Sequence, residues 1–243
     1  MKHDAERAEY PATERAPELV AWALERFHPA VALACSFSLE DVALAHMLVA
    51  VRPDARVFAL DTGRLNEETR ECAEALRRRL GIRIEWFFPR HAAVEPLERD
   101  QGLFSFRDSL AARQQCCRIR KVEPLERALH GLRALITGLR REQAVTRAAL
   151  PAIETDAVHG GIVKINPLAA WTLAQVWQYV RAHQLPYNRL YDQGYGSIGC
   201  APCTRAVAPD ADQRAGRWWW EQPEHKECGL HVRHAPPGTE PRR

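Results

Sequence analysis

The sequence predicts an α/β protein with a mostly parallel, twisted sheet flanked by helices. Apolar segments of strand length alternate with helical patterns, which is typical of parallel strands joined by crossover helices. The first such segment, at 30–35, is apolar throughout, as expected for a strand that is covered on both faces. The chain has 243 residues, of which 46% are apolar, so it can form one sizeable domain.

The first half of the chain predicts three strands and three helices. A charged N-terminal tail over 1–16 precedes a helix at 17–27, which Pro17 can start. In the third helix, Asn66 can act as the N-cap, and acidic residues come before basic ones, an order that complements the helix dipole. The expected strands span 30–35, 56–60 and 82–88, and the expected later helices span 42–51 and 66–80.

The second half predicts a fourth strand, a hairpin and further helices. Residues 89–115 are punctuated by proline and glycine and are expected to be irregular. A helix should begin at the doublet Cys116-Cys117 and run to about 130, before a strand at 132–136. Strands at 152–158 and 162–165 should form a hairpin around Gly160-Gly161, and Thr172 should cap a helix over 173–183. The segment 207–243 is expected to be a mobile C-terminal tail.

Charge and cysteine content restrict the function classes. A formal net charge of +3 argues against a general nucleic-acid binder. No apolar run is long enough to span a membrane, and the N-terminus has no signal-peptide pattern. Seven cysteines are an odd number, several in basic surroundings, so we expect a reducing cytoplasm and no disulfide framework.

Polar turns after the first, second and fourth strands are candidates for binding an anion. The turn at 36–41 either presents backbone N–H groups to a phosphate or is capped by Ser38 alone. After the fourth strand, Gly138 is followed by Arg140 and Arg147, which indicates either an anion site or a solvated turn. Because these turns follow parallel strands, we expect them to lie at one edge of the sheet.

Four cysteines predict a metal centre. Cys200 and Cys203 have the spacing of a ligand pair, and the doublet Cys116-Cys117 offers two more thiolates. Neighbouring side chains on a helix diverge by about 100°, so a doublet reaches one centre only if the backbone turns or the centre is large. This argument favours a four-iron cluster over a single zinc ion, although both remain open.

Cys228 differs from these four cysteines because no cysteine lies at ligand spacing from it. Lys226 and His231 would lower its pKa, so it is a candidate nucleophile, with His231 assisting. Arg214 and Arg217 lie between Cys203 and Cys228 and could hold a phosphate or sulfate. The tryptophans at 218–220 are assigned no chemistry.

Together these motifs resemble the APS/PAPS reductase family, over residues 28–232, and within it the assimilatory adenylylsulfate (APS) reductases. The resemblance rests on six motifs in this order: Ser36-Phe-Ser-Leu-Glu-Asp41, Leu60-Asp-Thr-Gly-Arg-Leu65, Cys116-Cys117 with Lys121, Thr137-Gly-Leu-Arg-Arg-Glu-Gln143, Cys200-x-x-Cys203 and Lys226-Glu-Cys-Gly-Leu-His231.

The resemblance implies an adenine nucleotide α-hydrolase-like fold. A nucleotide-binding domain that holds the cluster spans 17–206, and a C-terminal segment at 207–243 carries the catalytic cysteine. It implies one four-iron four-sulfur cluster per chain on Cys116, Cys117, Cys200 and Cys203, and these cysteines favour APS over phosphoadenylylsulfate (PAPS). The implied reaction reduces APS to sulfite and AMP through an S-sulfonated Cys228, with thioredoxin as the reductant. The thiols supply both electrons, so the cluster is expected to organise the site and not to transfer electrons.

Residue by residue, the resemblance also implies a substrate site and partners. The expected substrate-binding residues are Ser36, Ser38, Leu60, Gly63, Lys121, Gly138, Arg140, Arg147, Arg214 and Arg217. We expect a homo-oligomer that binds neither nucleic acid nor membrane. The alternatives are a PAPS or dual-substrate reductase, a pyrophosphate-loop enzyme that modifies RNA, and a zinc-binding interaction module.

Overall fold

The computed structural model describes residues 10–144 and 147–222. Its six-stranded sheet has the order β3-β2-β1-β4-β6-β5. The strands are β1 Val31–Ala34, β2 Arg56–Leu60, β3 Ile84–Phe87, β4 Ala134–Ile136, β5 Ile153–Asp156 and β6 Ile162–Ile165. Neighbouring strands are parallel, except for the antiparallel pair β5 and β6. The parallel sheet and the hairpin are therefore confirmed.

Helices cover both faces of the sheet. They are α1 Ala16–Phe27, α2 Leu39–Val51, α3 Glu67–Leu80, α4 His91–Gln101, α5 Leu110–Cys117, α6 Glu123–Leu129 and α7 Leu173–Ala182. Val31 and Leu33 of β1 face a core shared with α1, α2 and α7, whereas Ala32 faces a smaller core with Leu125 of α6. Because successive strand residues point to opposite faces, both cores need apolar partners, which explains the continuous apolar run.

Helix α2 is buried on most of its circumference and begins at the carboxyl end of β1. Its first turn also buries two carboxylates, since Glu40 and Asp41 are only 5% and 4% exposed. A buried carboxylate costs free energy unless it is hydrogen-bonded or paired with a cation. The partners of these two residues therefore shape the loops at this edge of the sheet.

The prediction that 89–115 is irregular is wrong, because this region contains α4 and α5. Pro96 lies inside α4, and Leu97 is the helix's one buried residue, so the apolar periodicity is weak. The predicted start of a helix at the cysteine doublet is also wrong. The doublet ends α5, which Ser109 caps by accepting from Ala112 N at 3.1 Å. A π-helical turn, Arg118–Val122, then leads into α6.

Both ends of the described chain pack further than the sequence indicates. Tyr10 and Glu14 lie in the expected N-terminal tail, yet Tyr10 packs edge-on against Trp22, and Glu14 pairs with Arg141 at 2.6 Å. At the other end, Arg217, which lies in the expected tail, forms an antiparallel β-bridge with the backbone of Thr204. The packed fold thus extends to residue 222. Among the described residues, no helix combines the length and apolarity needed to cross a membrane.

Candidate active site

A cavity of about 260 Å³ opens at the carboxyl ends of β1, β2 and β4. The turns that follow these strands line it, together with residues from 196–200 and 213–218. Eight of the ten expected substrate-binding residues line this cavity: Ser36, Ser38, Leu60, Lys121, Gly138, Arg147, Arg214 and Arg217. Parallel strands carry their carboxyl ends to one edge, so turns far apart in sequence meet there.

The loop after β1 closes on the first turn of α2. Ser36 donates from its backbone N and its Oγ to Asp41 Oδ2, at 2.7 and 2.6 Å. Ser38 Oγ accepts from Asp41 N at 3.5 Å and also lines the cavity, so capping and ligand binding are compatible. Phe37 has a φ of 61° and is buried. A left-handed phenylalanine costs about 1 kcal/mol, and such strain is commonly found at functional sites.

Gly138 brings the turn after β4 into direct contact with this loop. A Cβ at this position would lie 2.3 Å from Asp41 Oδ1 and 2.9 Å from Glu40 Cβ. No larger side chain fits without displacing the start of α2. The glycine is therefore required for close approach, and its own φ is not in the left-handed range.

Two expected substrate-binding residues do not line the cavity. Arg140 is fully buried, and its guanidinium forms ion pairs with Glu40 at 2.8 Å and Glu142 at 2.9 Å. It therefore stabilises the start of α2 and the turn after β4. Gly63 has a φ of 72° and makes the tight turn after β2, where its N–H donates to Asp61 Oδ1 at 2.8 Å. In the structure both residues support loops of the site and neither lines the cavity, and their contact with substrate stays a prediction.

A second, small cavity is lined by all four cysteines of the expected metal centre. The Cys200 segment is held by a backbone bridge between Leu65 and Cys200, and by a hydrogen bond from Ala201 N to Arg64 O at 2.8 Å. The doublet lies where α5 meets the π-helical turn, so the backbone departs from a regular α-helix there. The cationic side chains that also line this cavity are Arg64, Arg113, Arg120 and Lys121.

The surroundings of the four cysteines suit an anionic group with several acceptor atoms. Arg120 Nε and the indole Nε1 of Trp218 are buried and have no hydrogen-bond partner among the described residues. Over residues 10–144 and 147–222, no set of three or more His, Cys, Asp or Glu side chains is arranged to hold one metal ion. Four thiols around one cavity, with spare donors, are a donor set of the kind that holds a multi-atom cluster.

The two cavities share a wall. Three residues line both of them: Lys121, Cys200 and Trp218. Burial by itself raises the pKa of Cys200, but the Lys121 ammonium, the Thr62 hydroxyl at 3.3 Å and Arg217 outweigh it, so the pKa lies below its ordinary value. Lys121, the one cation among these three residues, therefore stabilises negative charge on Cys200 and also lines the larger cavity.

The expected nucleophile Cys228 and its partner His231 lie outside the described residues. Among the described residues that line the larger cavity, Asp41, Gln143 and Trp218 were not assigned to the site from the sequence. Asp41 and Gln143 stand at the ends of two motifs that carried the resemblance, so their positions were visible in the sequence. Trp218 was assigned no chemistry, because nothing in its local sequence indicates that it is buried between two cavities.

The sequence and the fold were compared with known proteins. A family profile described as the phosphoadenosine phosphosulfate reductase domain matches residues 30–206. The chain belongs to the APS/PAPS reductase family. The adenosine 5'-phosphosulfate reductase of Allochromatium vinosum is 53% identical over 207 residues, which cover 85% of this chain and 80% of that protein. That of Burkholderia cepacia is 48% identical over 219 residues, covering 90% and 87%.

A solved structure also supports membership of the APS/PAPS reductase family. The phosphate complex of a PAPS reductase from Candida auris matches with a TM-score of 0.68 at 28% identity, over 79% of this chain and 90% of that one. The resemblance and the α-hydrolase-like fold expected from the sequence are confirmed, and the chain is an oxidoreductase acting on a sulfur group. The RNA-modifying enzyme and the zinc-binding module are therefore set aside.

In this APS/PAPS reductase fold, Asp41 is expected to make stability depend on pH. Burial, the largest effect, raises its pKa to about 6, although hydrogen bonds from Ser36 oppose the rise. Because the pKa is higher in the folded protein, folding favours the protonated carboxyl. The contribution of Asp41 to the free energy of unfolding is therefore complete below pH 3.8 and is lost as pH rises through about 6. Asp41→Asn should therefore raise the free energy of unfolding at pH 7.5, by up to about 3 kcal/mol.

Urea unfolding of both proteins between pH 4 and pH 8 checks this expectation. The difference between Asp41→Asn and wild type should shrink towards pH 4, where the wild-type carboxyl is protonated. A constant difference across this range would contradict the assigned pKa. Asp54→Asn, which changes a side chain that is 68% exposed, is the control and should alter the free energy of unfolding by less than about 0.5 kcal/mol.

Proposed function

We propose that this chain reduces APS to sulfite and AMP through an S-sulfonated Cys228, with thioredoxin as the reductant. The observation that carries the proposal is the convergence of cations on one nucleotide-sized cavity. Lys121, Arg147, Arg214 and Arg217 all line it, beside the loops that follow β1 and β4. A substrate with adjacent phosphate and sulfate groups needs such neutralisation before an anionic thiolate can attack it.

The proposed reaction has two thiol steps. The Cys228 thiolate attacks the sulfur of the sulfate group, a bond between the two sulfur atoms forms, and the bond from sulfur to the phosphate oxygen breaks. AMP leaves with that electron pair. A thiolate of reduced thioredoxin then attacks Cys228 Sγ and releases sulfite, and the second thiol resolves the mixed disulfide. The dithiol supplies both electrons, and Cys228 is regenerated.

We propose that Cys116, Cys117, Cys200 and Cys203 hold a four-iron four-sulfur cluster. When bound, it would supply a compact anionic centre that joins the end of α5 to the 200–203 segment. The shared cavity, the surrounding cations and the unpartnered donors of Arg120 and Trp218 support this assignment. The cytoplasmic location and the homo-oligomeric state stay predictions from the sequence.

The choice of APS over PAPS is supported by the charge near the loop after β1. Glu40 and Asp41 both line the cavity beside Ser36 and Ser38. PAPS carries an additional phosphate on its ribose, and carboxylates close to that group would disfavour it. Sulfite formation with reduced thioredoxin should therefore show a kcat/KM for APS at least about 100-fold above that for PAPS. Equal values would indicate a dual-substrate enzyme, and a preference for PAPS would reverse the assignment.

Cys203→Ser tests the cluster assignment directly. The variant should lose most of its iron and the broad visible absorbance of anaerobically purified protein, because one of four ligands is removed. Cys72→Ser is the control, since Cys72 belongs to α3, packs in the apolar core and does not line the cysteine cavity. Unchanged iron content in Cys203→Ser would remove Cys203 from the ligand set.

A further inference from the structure

A buried ion pair joins Arg113 of α5 to Glu221, one residue before the last residue that the structure describes. Arg113 donates from Nε and Nη2 to the two carboxylate oxygens of Glu221, at 2.8 and 3.0 Å. The side chains are 2% and 8% exposed. A bidentate (two-pronged) ion pair of this kind fixes the relative orientation of the two side chains as well as their distance, because both hydrogen bonds must align together.

Arg113 also contacts the cysteine cavity that it lines. Its guanidinium hydrogen-bonds the Cys117 side chain and lies over the Trp218 ring at 4.8 Å. Arg217, which lines the larger cavity, lies over the same ring at 4.6 Å. One side chain thus contacts a proposed cluster ligand, the wall between the cavities and Glu221.

A contribution to stability alone does not account for this pair. Removing two charges from water is costly, and apolar residues of similar volume often give equal or greater stability than a buried ion pair. What the pair adds is a fixed geometry at one point of the chain. That point lies seven residues before Cys228 in the sequence, a stretch that spans at most about 25 Å.

We propose that Arg113 and Glu221 are positioning residues that hold the start of the C-terminal segment, here called its root, against the cysteine centre. Held in this way, the segment presents Cys228 to the substrate cavity. The proposal rests on the proposed function of Cys228. It gives the cysteine centre a role without electron transfer, because α5 carries both the doublet and the arginine that holds the segment. A small displacement of a reacting group can lower a rate by about 100-fold, so such a root would matter for turnover.

The chain provides a control pair with the same hydrogen-bonding geometry and greater exposure, 33% and 32%. Arg56 donates from Nε and Nη2 to both oxygens of Glu85, at 2.9 and 3.0 Å, with the same two-pronged geometry. Arg56 is the first residue of β2, so the pair lies towards the amino ends of the strands, opposite the cavity. Glu85→Gln removes the same charge as Glu221→Gln without touching the site.

The experiment compares wild type, Glu221→Gln and Glu85→Gln, each as the full chain with its iron content measured. Glu221→Gln should lower kcat for sulfite release from APS by about tenfold or more, while the Kd for AMP and the iron per chain stay within about twofold. Trypsin cleavage after Arg214 and Arg217, followed by mass spectrometry, should be at least about threefold faster than in wild type. Glu85→Gln should match wild type in all four measurements.

Each outcome decides the proposal. Loss of AMP binding or iron in proportion to kcat would mean that the pair supports the fold generally, and would overturn it. Unchanged kcat or unchanged cleavage in Glu221→Gln would overturn it as well. Arg113→Lys, which keeps the charge but loses the two-pronged geometry, should retain more activity than Arg113→Met. If wild type forms no sulfite from APS, the proposed function fails, and the cleavage comparison still tests the root by itself.

Discussion

Cys228→Ser is expected to abolish sulfite formation from APS, with kcat reduced by about 10⁴-fold or more. A serine hydroxyl is hardly ionised near neutral pH and cannot form the thiosulfonate bond that the reductant later cleaves. Nucleotide binding should persist, because the cavity that would hold AMP is built from the described body of the fold. Sulfite release and the AMP affinity of the same preparation are the measurements.

Two observations keep this test specific to the nucleophile. The iron content of Cys228→Ser should equal that of wild type, since Cys228 is not among the four proposed cluster ligands. Mass spectrometry after a single exposure to APS, without reductant, should show a sulfonated Cys228 in wild type and none in the variant. Sulfite turnover that survives the substitution would disprove the thiol mechanism.

Lys121→Met should lower kcat/KM for APS by about 100-fold to 1,000-fold, the effect of removing one donor that stabilises charge in a transition state. Lys121 lies in the wall between the cavities, and its ammonium helps to lower the pKa of Cys200. We therefore expect a second effect, a change in the visible spectrum of the bound cluster. Steady-state kinetics and absorbance of anaerobic protein measure the two effects.

Lys164→Met is the matched control for this substitution. Lys164 also lines the larger cavity, but it is paired with Glu154 at 3.2 Å and does not line the cysteine cavity. Its replacement should leave the cluster spectrum unchanged. If Lys121→Met keeps both the wild-type spectrum and the wild-type kcat/KM, the shared wall has no functional importance.

The shared wall gives a physical reason why the proposed metal centre would affect the proposed reaction, in which thiols supply all the electrons. Lys121, Cys200 and Trp218 each belong to both cavities, so the geometry of one constrains the other. Changes at the cysteines should therefore move the cations of the substrate cavity without any need for electron transfer between the sites. Arg217, which contacts Trp218 and lines the substrate cavity, is the side chain most directly affected.

Much of the fold could be predicted because its signals are local. Three of the first four strands are short apolar runs, and the three helices with clear apolar stripes, α1, α3 and α7, begin and end within one residue of expectation. Helix α4 was missed because it buries only Leu97 and contains Pro96, so its sequence lacks the usual periodicity. Its role depends on distant partners, since Glu98 pairs with Arg64 and Arg120 beside the cysteines.

The sequence by itself determined the chemistry: the family, the two cysteine pairs, the separate Cys228 and the cation-rich turns at strand ends. These features consist of residue types at fixed spacings, which need no knowledge of packing. Only the tertiary structure decided which side chains face the cavity. It placed Arg140 behind the loop on Glu40, put Trp218 between the cavities, and joined Arg113 to Glu221 across 108 residues. Such contacts depend on how helices and loops pack over the sheet, and spacing along the chain does not encode them.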